Sequence, residues 1–99
     1  MELEGQVALI SGGTRGIGRG IAEAFIAEGA NVVINGRSAD KGAQAIEEIN
    51  AGDQAHFIAG DVTSQEVCEG LVDQTVERYG KIDILVPNAG GGTIEGEEP

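Results

Sequence analysis

The chain has 99 residues, 40% of them hydrophobic, and a formal net charge of −11, which allows one domain at most and argues against a disordered polymer. So negative a chain repels phosphate backbones and anionic bilayers, so nucleic acid and membrane surfaces are not expected partners. A single cysteine (Cys68) and a single histidine (His56) leave no internal disulfide and no metal-ligand spacing, and the apolar runs are strand-sized, so a reducing cytoplasmic setting is expected.

In chain order, Gln6–Ile10 reads as the first strand and Ile17–Glu28 as a helix with Ile17, Ile21, Ala24 and Phe25 inward, stopped by Gly29. Asn31–Asn35 is the second strand, followed by a helix over Ala39–Asn50 with Ala43, Ile46 and Ile49 inward, ended by Gly52. Ala55–Ala59 is the third strand. The next helix carries a Thr-x-x-Glu start, Thr63 with Glu66, which predicts a reciprocal capping box. Its inward residues are Val67, Leu71, Val72, Thr75, Val76 and Tyr79, and Gly80 ends it. Ile82–Val86 is the fourth strand. From Gly91 to Pro99 the chain is rich in Gly and Glu without periodicity and reads as loop or disorder.

Near-continuous apolar strands joined by helices predict an α/β fold, a Rossmann-like doubly wound parallel sheet with helices on both faces and strand order 3-2-1-4. Ligands of such sheets sit beyond the C-terminal strand ends, where the strand order reverses, here between the first and fourth strands. The stretch Ile10-Ser11-Gly12-Gly13-Thr14-Arg15-Gly16-Ile17-Gly18 leaves the first strand at that point. Gly12 permits the tight turn, Gly16 lets the backbone approach a ligand, and Gly18 sits in the first helical turn, where N–H groups and the helix dipole favour an anion. The sequence therefore predicts a dinucleotide-binding turn that includes Thr14 and Arg15.

The end of the second strand, roughly 20 residues beyond the glycines, distinguishes a free ribose 2′-OH from a 2′-phosphate. It reads Asn35-Gly36-Arg37-Ser38, with a guanidinium and a hydroxyl and no acid. A 2′-phosphate would gain a charge-assisted pair from Arg37, with Arg15 adding charge from the facing loop. NADP(H) is favoured and NAD(H) stays possible. Arg15, Arg19, Arg37 and Lys41 together place local positive charge in an acidic protein.

Gly12-(x)3-Gly16-Ile17-Gly18, Asp61-Val62 after the third strand and Asn88-Ala89-Gly90 after the fourth resemble the short-chain dehydrogenase/reductase family, nearest its 3-oxoacyl-reductase-like branch. The resemblance covers the chain to Gly90. It implies an NAD(P)(H)-dependent oxidoreductase acting on a small carbonyl or alcohol, with a dimer or tetramer as the assembled enzyme. By that resemblance Gly12, Gly16, Ile17 and Gly18 line the pyrophosphate and Arg37, beside Ser38, meets the 2′-phosphate. Asp61 and Val62 contact the adenine, and Asn88, Ala89 and Gly90 lie along the adenosine ribose. Ser11 replaces the usual threonine and keeps the hydroxyl. Pro87 replaces the first asparagine of the usual Asn-Asn-Ala-Gly and removes a backbone donor.

The family's chemistry rests on a serine and on a tyrosine four residues before a lysine. The only tyrosine here is Tyr79, with Asp83 four residues on, so no catalytic residue is assigned. Strand Ile82–Val86 would also be an exposed apolar edge. Both point to residues 1–90 as the cofactor-binding half of a longer enzyme, with 91–99 opening the catalytic half. The alternatives are a non-catalytic dinucleotide-binding module and an interaction protein. His56 and Cys68 read as ordinary strand and helix residues. Glu47-Glu48 and Glu95, Glu97 and Glu98 read as solvated, and Asp83 as a carboxylate capping a neighbouring helix.

Overall fold

The computed structural model describes residues 2–12 and 16–87. Strands β1 (Val7–Ser11), β2 (Asn31–Gly36), β3 (Ala55–Ala59) and β4 (Ile84–Pro87) alternate with helices α1 (Gly16–Ala27), α2 (Ala39–Ile49) and α3 (Gln65–Tyr79). Every pairing is parallel and the order is β3-β2-β1-β4, as the alternating pattern predicts. No helix among the described residues is long and apolar enough to cross a membrane. The expected loop at 91–99 lies outside the described residues.

The period-2 geometry of the strands explains their continuous apolar character. Ala8, Ile10, Val32 and Ile34 face one side, where Ala22 of α1 and Ala45 of α2 cover them. Leu9, Val33 and Ile58 face the other, under Leu71 of α3. Each fully buried Ile or Val, such as Ile10 and Ile34 at 0% exposure, contributes about 1.5–3 kcal/mol of transfer free energy. With few aromatics, these central strands are the principal source of stability.

The helix faces differ from the expected ones in detail. In α1 the inward stripe is Gly18, Ala22, Ile21, Phe25 and Ile26, while Ile17 is 75% exposed and Ala24 is exposed. Ile17 stands at the helix start, beyond the sheet, so it has no strand to cover. In α2 Ala43 points outward and Gly42 and Ala45 are buried. In α3 a narrow i, i+4 stripe of Val67, Leu71, Thr75 and Tyr79 meets the sheet. Val72 and Val76, expected inward, are each 41% exposed, because they lie one residue step, about 100° of helix rotation, off that stripe.

The caps also correct the sequence reading. Ser64, not Thr63, is the N-cap of α3, its hydroxyl accepting from Val67 N at 3.3 Å. Thr63 instead donates its N–H and its hydroxyl to Asp61 Oδ1 at 3.0 and 2.8 Å. The Asp side chain, two residues upstream, takes the Thr N–H in an Asx turn and so displaces the capping box. Helix α2 ends not at Gly52 but two residues earlier, where Asn50 adopts the left-handed conformation (φ 53°) and returns its N–H to Ile46 O.

Asp83 caps a strand rather than a helix. Its Oδ2 accepts from Val7 N at 2.9 Å while its own N–H donates to Val7 O at 2.8 Å, so the residue clamps the entry of β1. This use of residue 83 is why β4 starts at Ile84 instead of Ile82. The Val7 N–H first, and Lys81 Nζ at 3.2 Å second, hold the Asp83 carboxyl below the ordinary carboxylate range. A carboxyl lowered in the folded state stabilises the fold above its unfolded value and loses that contribution as pH falls through the folded one. Asp83→Asn is therefore expected to lower the thermal midpoint at pH 7. The gap to the parent should begin to close near the unfolded carboxylate value of about 4 and vanish only once pH has fallen through the lowered folded one, where the parent carboxyl becomes an isostere of the amide. Melting curves by circular dichroism across that range check it, and a constant gap would contradict the assignment.

Strand β4 pairs only with β1 among the described strands. Leu85, in register with Leu9 and so on the α3 side, is 62% exposed. The exposed apolar edge expected from the sequence is present.

Candidate functional site

The sheet delivers three described connections to one end, beyond the C-terminal ends of its strands. They are Gly12, which leaves β1 ahead of α1, the Gly36-Arg37-Ser38 link into α2, and the Gly60-Asp61-Val62 link towards α3. Strands β1 and β4 leave side by side, with Ser11 in register with Pro87 and Ser11 Oγ donating to Val86 O at 3.4 Å. Thr14, Arg15, Asn88, Ala89 and Gly90, expected to hold cofactor, lie outside the described residues.

Gly12 has φ 73° and Gly16 has φ 64°, a left-handed backbone that side chains strain to adopt. A Cβ at Gly16 would meet nothing within 4 Å, so that glycine borders open space at the start of α1. Gly18, one turn in, is buried. Gly16, with no side chain, and an exposed Ile17 thus stand at the N-terminus of α1, the end of a helix where backbone N–H groups favour an anion.

Arg37 is exposed at the end of β2 and, among the described residues, forms no ion pair. Arg19, grouped with it by sequence, is committed elsewhere. Its guanidinium bonds Glu23 at 3.1 Å and Glu48 at 2.7 Å, tying α1 to α2. Ser38 is the N-cap of α2, its hydroxyl oxygen accepting from Lys41 N at 3.2 Å. That bond leaves the hydroxyl proton to donate, beside a helix N-terminus. Asp61 is exposed, and its carboxyl lies below the ordinary range, chiefly from the Thr63 N–H and hydroxyl, with the positive charge of Arg37 adding to them. The two residues therefore share one electrostatic neighbourhood. Val62 is half-buried above α3, its carbonyl accepting from Cys68 Sγ at 3.2 Å.

Of the residues set aside in the sequence, Glu95, Glu97 and Glu98 lie outside the described residues. His56 is half-buried on the α3 side of β3, with burial first and Arg78 second lowering its pKa, so it is neutral at pH 7. Among the described residues no group of three or more His, Cys, Asp or Glu could hold a metal ion. Sequence reasoning passed over Asn35, whose buried amide donates to the Ile58 and Gly60 carbonyls. Its only signal is a polar side chain closing an otherwise apolar strand, Asn-Val-Val-Ile-Asn.

Comparison with known proteins gives the class. The family described as short chain dehydrogenase matches residues 6–98, so the chain belongs to that family. An NADP-dependent (R)-specific alcohol dehydrogenase of Lentilactobacillus kefiri is 43% identical over 88 residues, 89% of this chain and 35% of its own length. A 7alpha-hydroxysteroid dehydrogenase of Escherichia coli is 41% identical over 93 residues, 93% of this chain and 36% of its own. A solved short chain dehydrogenase from Bacillus anthracis superposes with TM-score 0.83 at 38% identity, over 88% of this chain and 35% of that one. An actinorhodin polyketide ketoreductase solved with NADPH gives 0.81 at 41% identity, over 86% and 33%. The chain spans about a third of the length of the relatives it matches.

Proposed function

We propose that residues 1–90 are the dinucleotide-binding half of an NADP(H)-dependent oxidoreductase. The bound nicotinamide would exchange a hydride with a small carbonyl or alcohol substrate. The observation that carries this reading is the placement of Arg37, exposed and without an ion pair among the described residues, at the acid-free end of β2 on the same sheet end as Gly16. Gly12, Thr14, Arg15, Gly16, Ile17 and Gly18 hold the pyrophosphate in this reading. Arg37 and Ser38 hold the 2′-phosphate, Asp61 and Val62 the adenine, and Asn88, Ala89 and Gly90 the ribose. An NADPH-bound ketoreductase of the same fold and an NADP-dependent relative support the choice of NADP(H) over NAD(H).

Residues 1–99 contain no Tyr-x-x-x-Lys pair, and none of them is assigned a catalytic role in this reading. A cytoplasmic dimer or tetramer completes the reading for the whole enzyme. A second reading is a dinucleotide-binding module without catalysis. Fluorescence titration of the purified chain tests what both share. NADPH should bind, and more tightly than NADH; binding of neither overturns both readings.

A further inference from the structure

Asn35 is the one polar residue among the fully buried strand positions, 1% exposed between β1 and β3. A buried amide is costly unless its donors are used, and here they are. Its Nδ2 donates to Ile58 O at 2.9 Å and to Gly60 O at 3.2 Å. Its backbone oxygen accepts from Gly12 N at 2.7 Å, and the next carbonyl, of Gly36, accepts from Gly60 N at 3.0 Å. One residue thus touches the first glycine of the Gly-rich turn, the end of β3 and the link that carries Asp61.

The β2–β3 ladder ends at the Gly36–Ala59 pair. Beyond it the Gly60 N–H to Gly36 O bond is the last backbone link between the two, and the Asn35 amide adds a side-chain hold on the Gly60 carbonyl, where Gly60-Asp61-Val62 leaves the sheet. An apolar residue of equal size would fill the space and leave the Ile58 and Gly60 carbonyls to find other donors. The same link places the Asp61 carboxylate in the field of Arg37. A drift of the link therefore disturbs the adenine side and the 2′-phosphate side together.

We infer that Asn35 is the positioning residue that sets the Gly-rich turn and the Gly60–Val62 link in register around the adenosine end of the cofactor. The inference rests on the NADP(H) reading for its ligand, and its test has an arm that does not. In the full chain, Asn35→Ala should weaken binding of adenosine 2′,5′-bisphosphate about tenfold by calorimetry, as expected for the lost amide bonds. Amide hydrogen exchange at Gly60 and Gly12 should accelerate at least about tenfold while the amide of Val33, in the core of β2, keeps its protection. Asn35→Ser retains one donor, so it should fall between parent and Ala and supplies the same readouts if the Ala variant does not fold. Exchange that quickens equally at Val33, or an unchanged affinity with unchanged protection, overturns the inference. Failure of the parent to bind the bisphosphate overturns the NADP(H) reading instead, while the exchange pattern still decides the role of Asn35.

Discussion

Arg37→Asp is expected to weaken NADPH binding on the order of a hundredfold and to reverse the preference towards NADH. Three effects act in the same direction. The charge-assisted pair with the 2′-phosphate is lost, at about 1.5–3 kcal/mol. A like charge then faces the phosphate beside Asp61, which already lies close enough to Arg37 to feel its charge. For NADH the new carboxylate accepts hydrogen bonds from the free ribose hydroxyls. The surroundings make this position decisive, because a chain of net charge −11 offers an anion little general attraction. Arg37→Lys keeps the charge without the planar fork, so it should retain a weakened preference for NADPH. Titrations of both cofactors at one fixed ionic strength give the ratio. An unchanged ratio in the Asp variant would remove Arg37 from the 2′-phosphate site.

The largest expected effect on stability is at Gly42. This buried glycine of α2 lies against the Phe57 ring of β3, and a Cβ built there would stand 2.2 Å from Phe57 Cε2. No real Cβ tolerates that distance, so the ring must move or the helix must lift from the sheet. Gly42→Val is expected to cost about 3 kcal/mol, the upper part of the range for overpacking, despite the better helix propensity of valine. Phe57→Ala in the same chain should return much of it, because the two residues compete for one volume. Gly70→Ala is the matching control. Its Cβ would meet only Gln74 Nε2 at 3.9 Å, so propensity alone predicts a gain of up to about 1 kcal/mol. Urea unfolding of the variants measures all three. Additive losses for Gly42→Val and Phe57→Ala would contradict the shared-volume account.

The architecture was legible because it rests on long-range regularities. Apolar strand runs, helical periods and glycine stops suffice for strand order 3-2-1-4, which the sheet shows. Details decided by neighbours were not. Thr63 and Glu66 satisfy the capping-box pattern, yet the Asp61 carboxylate reaches Thr63 first and Ser64 takes the cap. Val72 and Val76 are apolar at plausible helical spacing, but α3 offers the sheet only its i, i+4 stripe. In the site the same division holds. The roles proposed for Gly12, Gly16 and Arg37 come from residue type and spacing. The contacts of Asn35 do not, because its amide meets two carbonyls, of Ile58 and Gly60, 23 and 25 residues away.

The Asn35-Gly36 pair also bears on how the protein ages. An asparagine followed by glycine loses its side-chain ammonia most readily, since the following backbone nitrogen can reach the amide carbon and close a succinimide. In the fold that chemistry is restrained. Asn35 sits in a strand paired on both sides, and its amide is held by the Ile58 and Gly60 carbonyls. Ring closure then requires the end of β2 to open first. The deamidated product would carry a carboxylate where two carbonyl oxygens now expect a donor, two residues from Arg37. Protein whose β2 end stays closed should thus keep Asn35 intact, while protein that opens often is marked there.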